Sequence, residues 1–109
     1  MCCSLEFGSM TTAYVTAPPE AADDIAETLV DERLAACVNR LDCESIYRWD
    51  GDVHRDPEAV LLIKTRPERY DELVARVEAL HPYDVPCIER FEEAEVLDRF
   101  AAWRDGAVE

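Results

Sequence analysis

Lysine is almost missing from this chain of 109 residues: Lys64 is the only one among 11 basic side chains. Asp and Glu number 25, and the formal net charge is -14. A chain so acidic repels phosphate backbones and anionic headgroups. Its densest basic group, Arg66, Arg69 and Arg76, is interrupted by Glu68, Asp71, Glu72 and Glu78, so nucleic acid and membrane surfaces are set aside as partners. An acid-rich, lysine-poor surface suits a cytoplasm of molar salt, where the Debye length is about 3 Å and self-repulsion is screened. A halophilic archaeon is the expected source.

Glycine is nearly as scarce, with three residues, which leaves too few for a phosphate-cradling loop. Histidine is limited to His54 and His81, and no local signature joins either one to a nucleophilic cysteine. The many carboxylates read as a solvated acidic surface rather than a tuned acid and base pair. No enzymatic activity and no organic cofactor are expected. Long apolar runs are absent too: nothing approaches the ~18 residues of a membrane span. The opening MCCSLEFGS lacks the charge and apolar stretch of a signal peptide. Residues 1–9 are expected to be a disordered leader or cloning remnant, and residues 10–109 a single domain. The five cysteines are odd in number and fit no disulfide framework, so a reducing cytoplasm is expected.

What is present is ordinary globular material, 49% hydrophobic and 33% charged, enough for one compact core. TTAYVTA (11–17) reads as a strand closed by two prolines. The next segment places Ala22, Ile25, Ala26, Leu29 and Val30 at helical spacing, with acids in the first turns. From Cys37 to Trp49 the pattern alternates over about 13 residues. Asp50-Gly51 then predicts a tight turn, and the chain returns through VHRD to AVLLIKT. Pro57 marks an interruption or an edge in that returning strand, and the run from Ala59 to Ile63 predicts a strand covered on both faces.

Pro67 opens a second helix with a stripe of Tyr70, Leu73, Val74, Val77 and Leu80. HPYDVP ends it, CIERF reads as a fourth strand, and Val96, Leu97, Phe100 and Trp103 give a terminal helix its apolar face. The fold class is therefore α+β: a ferredoxin-like βαββαβ sandwich with an extended hairpin and a C-terminal helix. Strands of ~13 residues reach about 43 Å, beyond so small a core. Their ends, carrying Ile46, Tyr47 and Trp49, are expected to meet other copies of the chain in a closed cyclic oligomer.

Imidazole and thiolate suit copper or zinc, which makes His81, Cys37 and Cys87 the candidate metal ligands. They form no spacing motif, and a capping histidine with two core cysteines accounts for them equally well.

LAACVN (34–39), SIYRWDG (45–51), IKT (63–65) and HPYDVP (81–86), with TAP at 16–18, follow one another in an order and spacing that resembles the CutA family, the divalent-cation-tolerance proteins. The resemblance implies a cytoplasmic homotrimer linked to Cu(II) or another divalent cation, with hairpins joining sheets between subunits. It also implies similarity to the PII signalling proteins, whose intersubunit clefts take a small ligand or a protein partner. Lys64 and Trp49 are the candidate cleft residues on that alternative. Metal-binding members carry a cysteine before Thr-Ala-Pro and two histidines before Pro-Tyr. Here Val15, Leu80 and His81 stand there, so only His81 keeps the pattern. Cys87 replaces the usual glutamate after the last proline.

Overall fold

The structure is a computed structural model that describes residues 11–109; the expected leader lies outside the described residues. The chain runs β1 (Thr11–Ala17), α1 (Pro19–Asp31), β2 (Cys37–Trp49), β3 (Asp52–Thr65), a 3-10 turn (Pro67–Arg69), α2 (Tyr70–Leu80), β4 (Ile88–Glu92) and α3 (Asp98–Ala107). The four strands form one sheet in the order β2-β3-β1-β4, and every pair is antiparallel. This is the expected ferredoxin-like topology, with α1 and α2 on one face.

Side-chain alternation explains why the helices cover that face. Ala13, Val15 and Ala17 of β1 and Ala59, Leu61 and Ile63 of β3 point one way and are buried against Ala22, Ile25 and Leu29 of α1 and Leu73 and Val77 of α2. Pro19 sits at the first position of α1, where its missing N–H costs nothing. At the far end of α1, Glu32 accepts two hydrogen bonds of 2.8 Å from Arg76, tying α1 to α2.

The expected Asp50-Gly51 turn is present: φ is 53° and 83° at these residues, the left-handed pair that a two-residue hairpin loop needs. Register runs unbroken from Cys37↔Lys64 to Trp49↔Asp52. Pro57 does not interrupt β3. Pairing with β1 begins only at Ala17↔Ala59, so Pro57 lies where β3 has no neighbour on that side and its missing N–H is not required. From Cys43↔Glu58 outward the hairpin is a two-stranded ribbon, and the chain is 53 Å long against 26 and 21 Å across.

Two expectations about coverage are corrected. The helix-free face of β3 is only partly buried at Val60 and Leu62, and beside it Leu41 is 49% exposed and Phe91 47%. Of the expected apolar face, Trp103 on α3 and Leu97 at its N-cap face solvent, while Phe100 on α3 and Val96 ahead of it are half-buried; the inward residues of α3 are Ala101 and Arg104. Arg104, only 2% exposed, donates to the Thr65 carbonyl at 3.0 Å and to Asp105 at 2.6 Å. The end of β3 supplies an acceptor that favours the guanidinium over an apolar side chain.

Candidate functional site

HPYDVP lies where α2 stops and the chain turns back to the sheet. His81 caps α2, its backbone N–H reaching the Val77 carbonyl at 2.8 Å, and its ring is buried. The ring Nε2 donates to the Thr16 carbonyl at 2.8 Å, and Nδ1 accepts the Tyr83 backbone N–H at 3.2 Å. Both nitrogens are thus engaged, and the imidazole ties the loop to β1. The Tyr83 ring packs on it with centroids 4.8 Å apart.

This strut aims Tyr83 at a carboxylate that the sequence did not single out. Tyr83 donates its hydroxyl to Glu58 Oε2 at 3.1 Å, and Ser45 donates to Oε1 at 2.5 Å. Glu58 is 7% exposed and makes no salt bridge among the described residues. Alongside, Tyr47 donates to Asp56 at 2.5 Å. Burial first, and then the Glu58 hydrogen bond, push the Tyr83 phenol up to about 12. The hydrogen bond to Asp56 pushes the Tyr47 phenol up as well. Ser45, Tyr47, Glu58 and Tyr83 line an open groove of about 730 Å³ that runs beside the loop and along the hairpin, with Tyr14, Trp49 and Cys87 also in its wall. An acid directly ahead of the apolar run AVLLI was the one signal in the sequence for Glu58.

The candidate metal ligands do not converge within the chain. Cys87 lines the cavity; burial pushes its thiol up and Glu89 adds to this, while Thr16 beside it pulls the other way. Cys37 lies across from Lys64, whose other partner is Thr12, so four β1 residues, about 13 Å, separate its row from Thr16. Burial pushes the Cys37 thiol up too, against the pull of Lys64. Thiols held protonated are poor ligands. Among the described residues no group of three or more His, Cys, Asp or Glu is placed to hold a metal ion, so the residues of this chain do not by themselves fit a resident metal. Lys64 does not line the groove; Trp49 does. Ile46 and Tyr47 share the cavity wall, and Ile46, Tyr47 and Trp49 are all exposed on the hairpin.

Among the described residues no helix is long and apolar enough to cross a membrane. Residues 11–107 match the family described as CutA1 divalent ion tolerance protein. The divalent-cation tolerance protein CutA of Pyrococcus horikoshii is 38% identical over 95 residues, which cover 86% of this chain and 93% of that protein. The Thermus thermophilus protein of the same name is 47% identical over 91 residues, 82% of this chain and 88% of that one. Among solved structures, the periplasmic divalent cation tolerance protein CutA from Archaeoglobus fulgidus superposes with a TM-score of 0.89 at 37% identity, covering 92% of this chain and 99% of that chain. These relatives are named as tolerance proteins, not as enzymes. On fold, length and sequence alike, the chain belongs to the CutA1 divalent ion tolerance protein family.

Proposed function

We propose that this protein works as a cytoplasmic homotrimer that takes part in divalent-cation tolerance by weak, reversible contact with Cu(II) or a similar ion, without catalysing a reaction. The observation that carries the trimer is the uncovered sheet. A two-stranded ribbon is marginal in water, and here it extends from a helix-free face that leaves Leu41 and Phe91 half exposed. Copies of the same chain cover such a face and pair such edges without a second gene product. Ile46, Tyr47 and Trp49 on the hairpin would then lie between subunits. Residues 10–109 act as the single domain of each subunit, and a halophilic source accounts for the acid excess.

Weak contact rather than a tight site follows from the donors. His81 can bind a metal only by giving up the Thr16 carbonyl or the Tyr83 N–H, and Cys87 only by losing a proton that its burial retains. His81 and Cys87 both stand beside Thr16 and are the donors proposed for such contact. Isothermal titration of the trimer with Cu(II) and Zn(II), repeated on Cys87→Ser, tests the metal part. Saturable binding near or somewhat tighter than about 1 mM is expected. No saturable site at that strength removes metal contact from the proposal, and a nanomolar site refutes its weakness.

A further inference from the structure

We propose that Glu58 of one copy takes its counter-charge from Lys64 of the next, so that a neighbouring chain fills the groove beside the HPYDVP loop and an ion pair joins the subunits there. The pair rests on the trimer reading above and is one specific contact within it. Glu58 is buried, and its two oxygens receive only the hydroxyls of Ser45 and Tyr83. Its own chain gives it no ion pair among the described residues. A carboxylate offers about four acceptor positions, so two stay open. Covering this face with another copy strands the charge unless a cation arrives with that copy.

Lys64 is the cation that the fold puts on the same face. Side chains alternate along β3, so Glu58, Val60, Leu62 and Lys64 share the helix-free side, with Lys64 opposite Cys37 on β2 and Thr12 on β1. Lys64 is half-buried and likewise makes no ion pair among the described residues. Glu58 and Lys64 are six positions apart on β3, about 20 Å, farther than the two side chains together can span, so a pair between them joins different chains. Such a contact is head-to-tail: each copy gives Lys64 to one neighbour and receives Lys64 from the other, and a closed ring leaves every one of these charges matched. Tyr47 and Trp49 along the groove offer apolar surface on which a lysine stem lies while its ammonium reaches the carboxylate. The other basic side chains without an ion pair are placed elsewhere: Arg33 follows α1, Arg99 lies in the first turn of α3, and Arg48 donates to the Gly51 carbonyl at the hairpin tip. Glu93 is the competing acid for Lys64, because the Thr12 hydroxyl holds it and one of its carboxylate oxygens is buried without a partner.

Because Lys64 is the only lysine in the chain, carbodiimide coupling, which joins an amine to a carboxylate in contact without a spacer, reads the pair directly. The coupled protein is separated on a denaturing gel, digested and mapped by mass spectrometry, while sedimentation of the untreated protein gives its assembly. Covalent dimers and trimers joined from Lys64 to Glu58 are expected. This link should be absent from Glu58→Gln alone and from Lys64→Arg alone, and should return when the two variants are refolded together, since each supplies the group that the other lacks. Glu58→Gln combined with Lys64→Met should assemble about tenfold more tightly than either change by itself, because no charge is then left buried alone. A monomeric parent overturns the trimer reading and the pair together. A trimeric parent in which Lys64 couples to Glu93, or to no carboxylate, overturns the pair and leaves the trimer standing, and so does a double variant whose losses simply add. Should Glu58→Gln fail to fold, the coupling map of the parent protein still decides.

Discussion

Replacing Leu41 with glutamate tests whether the helix-free face is an interface. Leu41 lies on β2 opposite Val60 and is 49% exposed in the protomer, so about half of its burial remains to be gained. Full burial of a leucine is worth about 1.5–3 kcal/mol, which leaves roughly 1 kcal/mol per subunit and about 3 kcal/mol per trimer. Leu41→Ala should therefore weaken assembly by about two orders of magnitude. Leu41→Glu forfeits the same burial and adds the desolvation of a charge, several kcal/mol in each of three subunits. Micromolar protein should then be monomeric by light scattering or sedimentation, with the helical far-UV signal retained because Leu41 lies outside the buried core. Val30→Glu, on the exposed side of α1, is the matched control and should leave the mass unchanged. A Leu41→Glu protein that sediments with the parent, a monomeric parent, or equal dissociation by Val30→Glu would refute the reasoning.

Three further outcomes follow from backbone and titration. Gly51→Ala meets no atom within 4 Å but must hold φ near 83°, so thermal unfolding should show a loss of about 1 kcal/mol; Gly106→Ala, equally unobstructed but helical, should gain up to about 1 kcal/mol. Like signs in the two variants would contradict the assignment of Gly51 to a left-handed turn. Spectrophotometric titration at alkaline pH should show one tyrosine ionising last, near 12, and Tyr83→Phe should delete that step. Because Tyr83 keeps its proton in the fold after the unfolded chain has lost it near 10, its contribution is intact below 10 and is lost as pH rises toward 12. A native titration in which all tyrosines ionise together near 10 would exclude the Glu58 bond. Glu32 behaves oppositely: the Arg76 hydrogen bond lowers its carboxyl below 4.5, so its contribution is present above that pH and fades in more acidic solution. Arg76→Met should flatten this acid limb, and an unchanged limb would show the pair to be idle.

Local pattern carried most of the backbone. Alternation from Cys37 to Trp49 and the Asp-Gly pair define the hairpin because side-chain period and turn conformation are both local. The terminal helix was legible in type but not in orientation. Its stripe of Leu97, Phe100 and Trp103 is apolar at helical spacing, yet the helix turns Arg104 inward, since the Thr65 carbonyl is contributed from 39 residues away. Periodicity shows that a face is apolar; it does not show whether this chain or another copy covers it. The site was less legible still. Glu58 and Tyr83 meet only because the β2–β3 register and the loop bring Ser45, Glu58 and Tyr83 to one place.

His81 shows how a residue type misleads when its contacts are unknown. Imidazole at the family's ligand position invites a metal, but β4 pairs with β1 only as far as Val15↔Ile88, and the Thr16 carbonyl just beyond is taken up by His81. Removing the ring in His81→Ala leaves that carbonyl and the Tyr83 N–H without their partner. The loss should be about 1–3 kcal/mol for each buried group left unpaired, in protein that has never seen metal. Tyr83, no longer held by its own backbone, should also lose its hold on Glu58, and the last-ionising tyrosine should move toward 10. Denaturant unfolding and alkaline titration of chelator-treated His81→Ala measure both effects. If this variant matches the parent in stability and titration and differs only in Cu(II) binding, the ring is a ligand and not a strut. If stability and the tyrosine shift together, weaker metal binding in the same variant follows from a loosened loop.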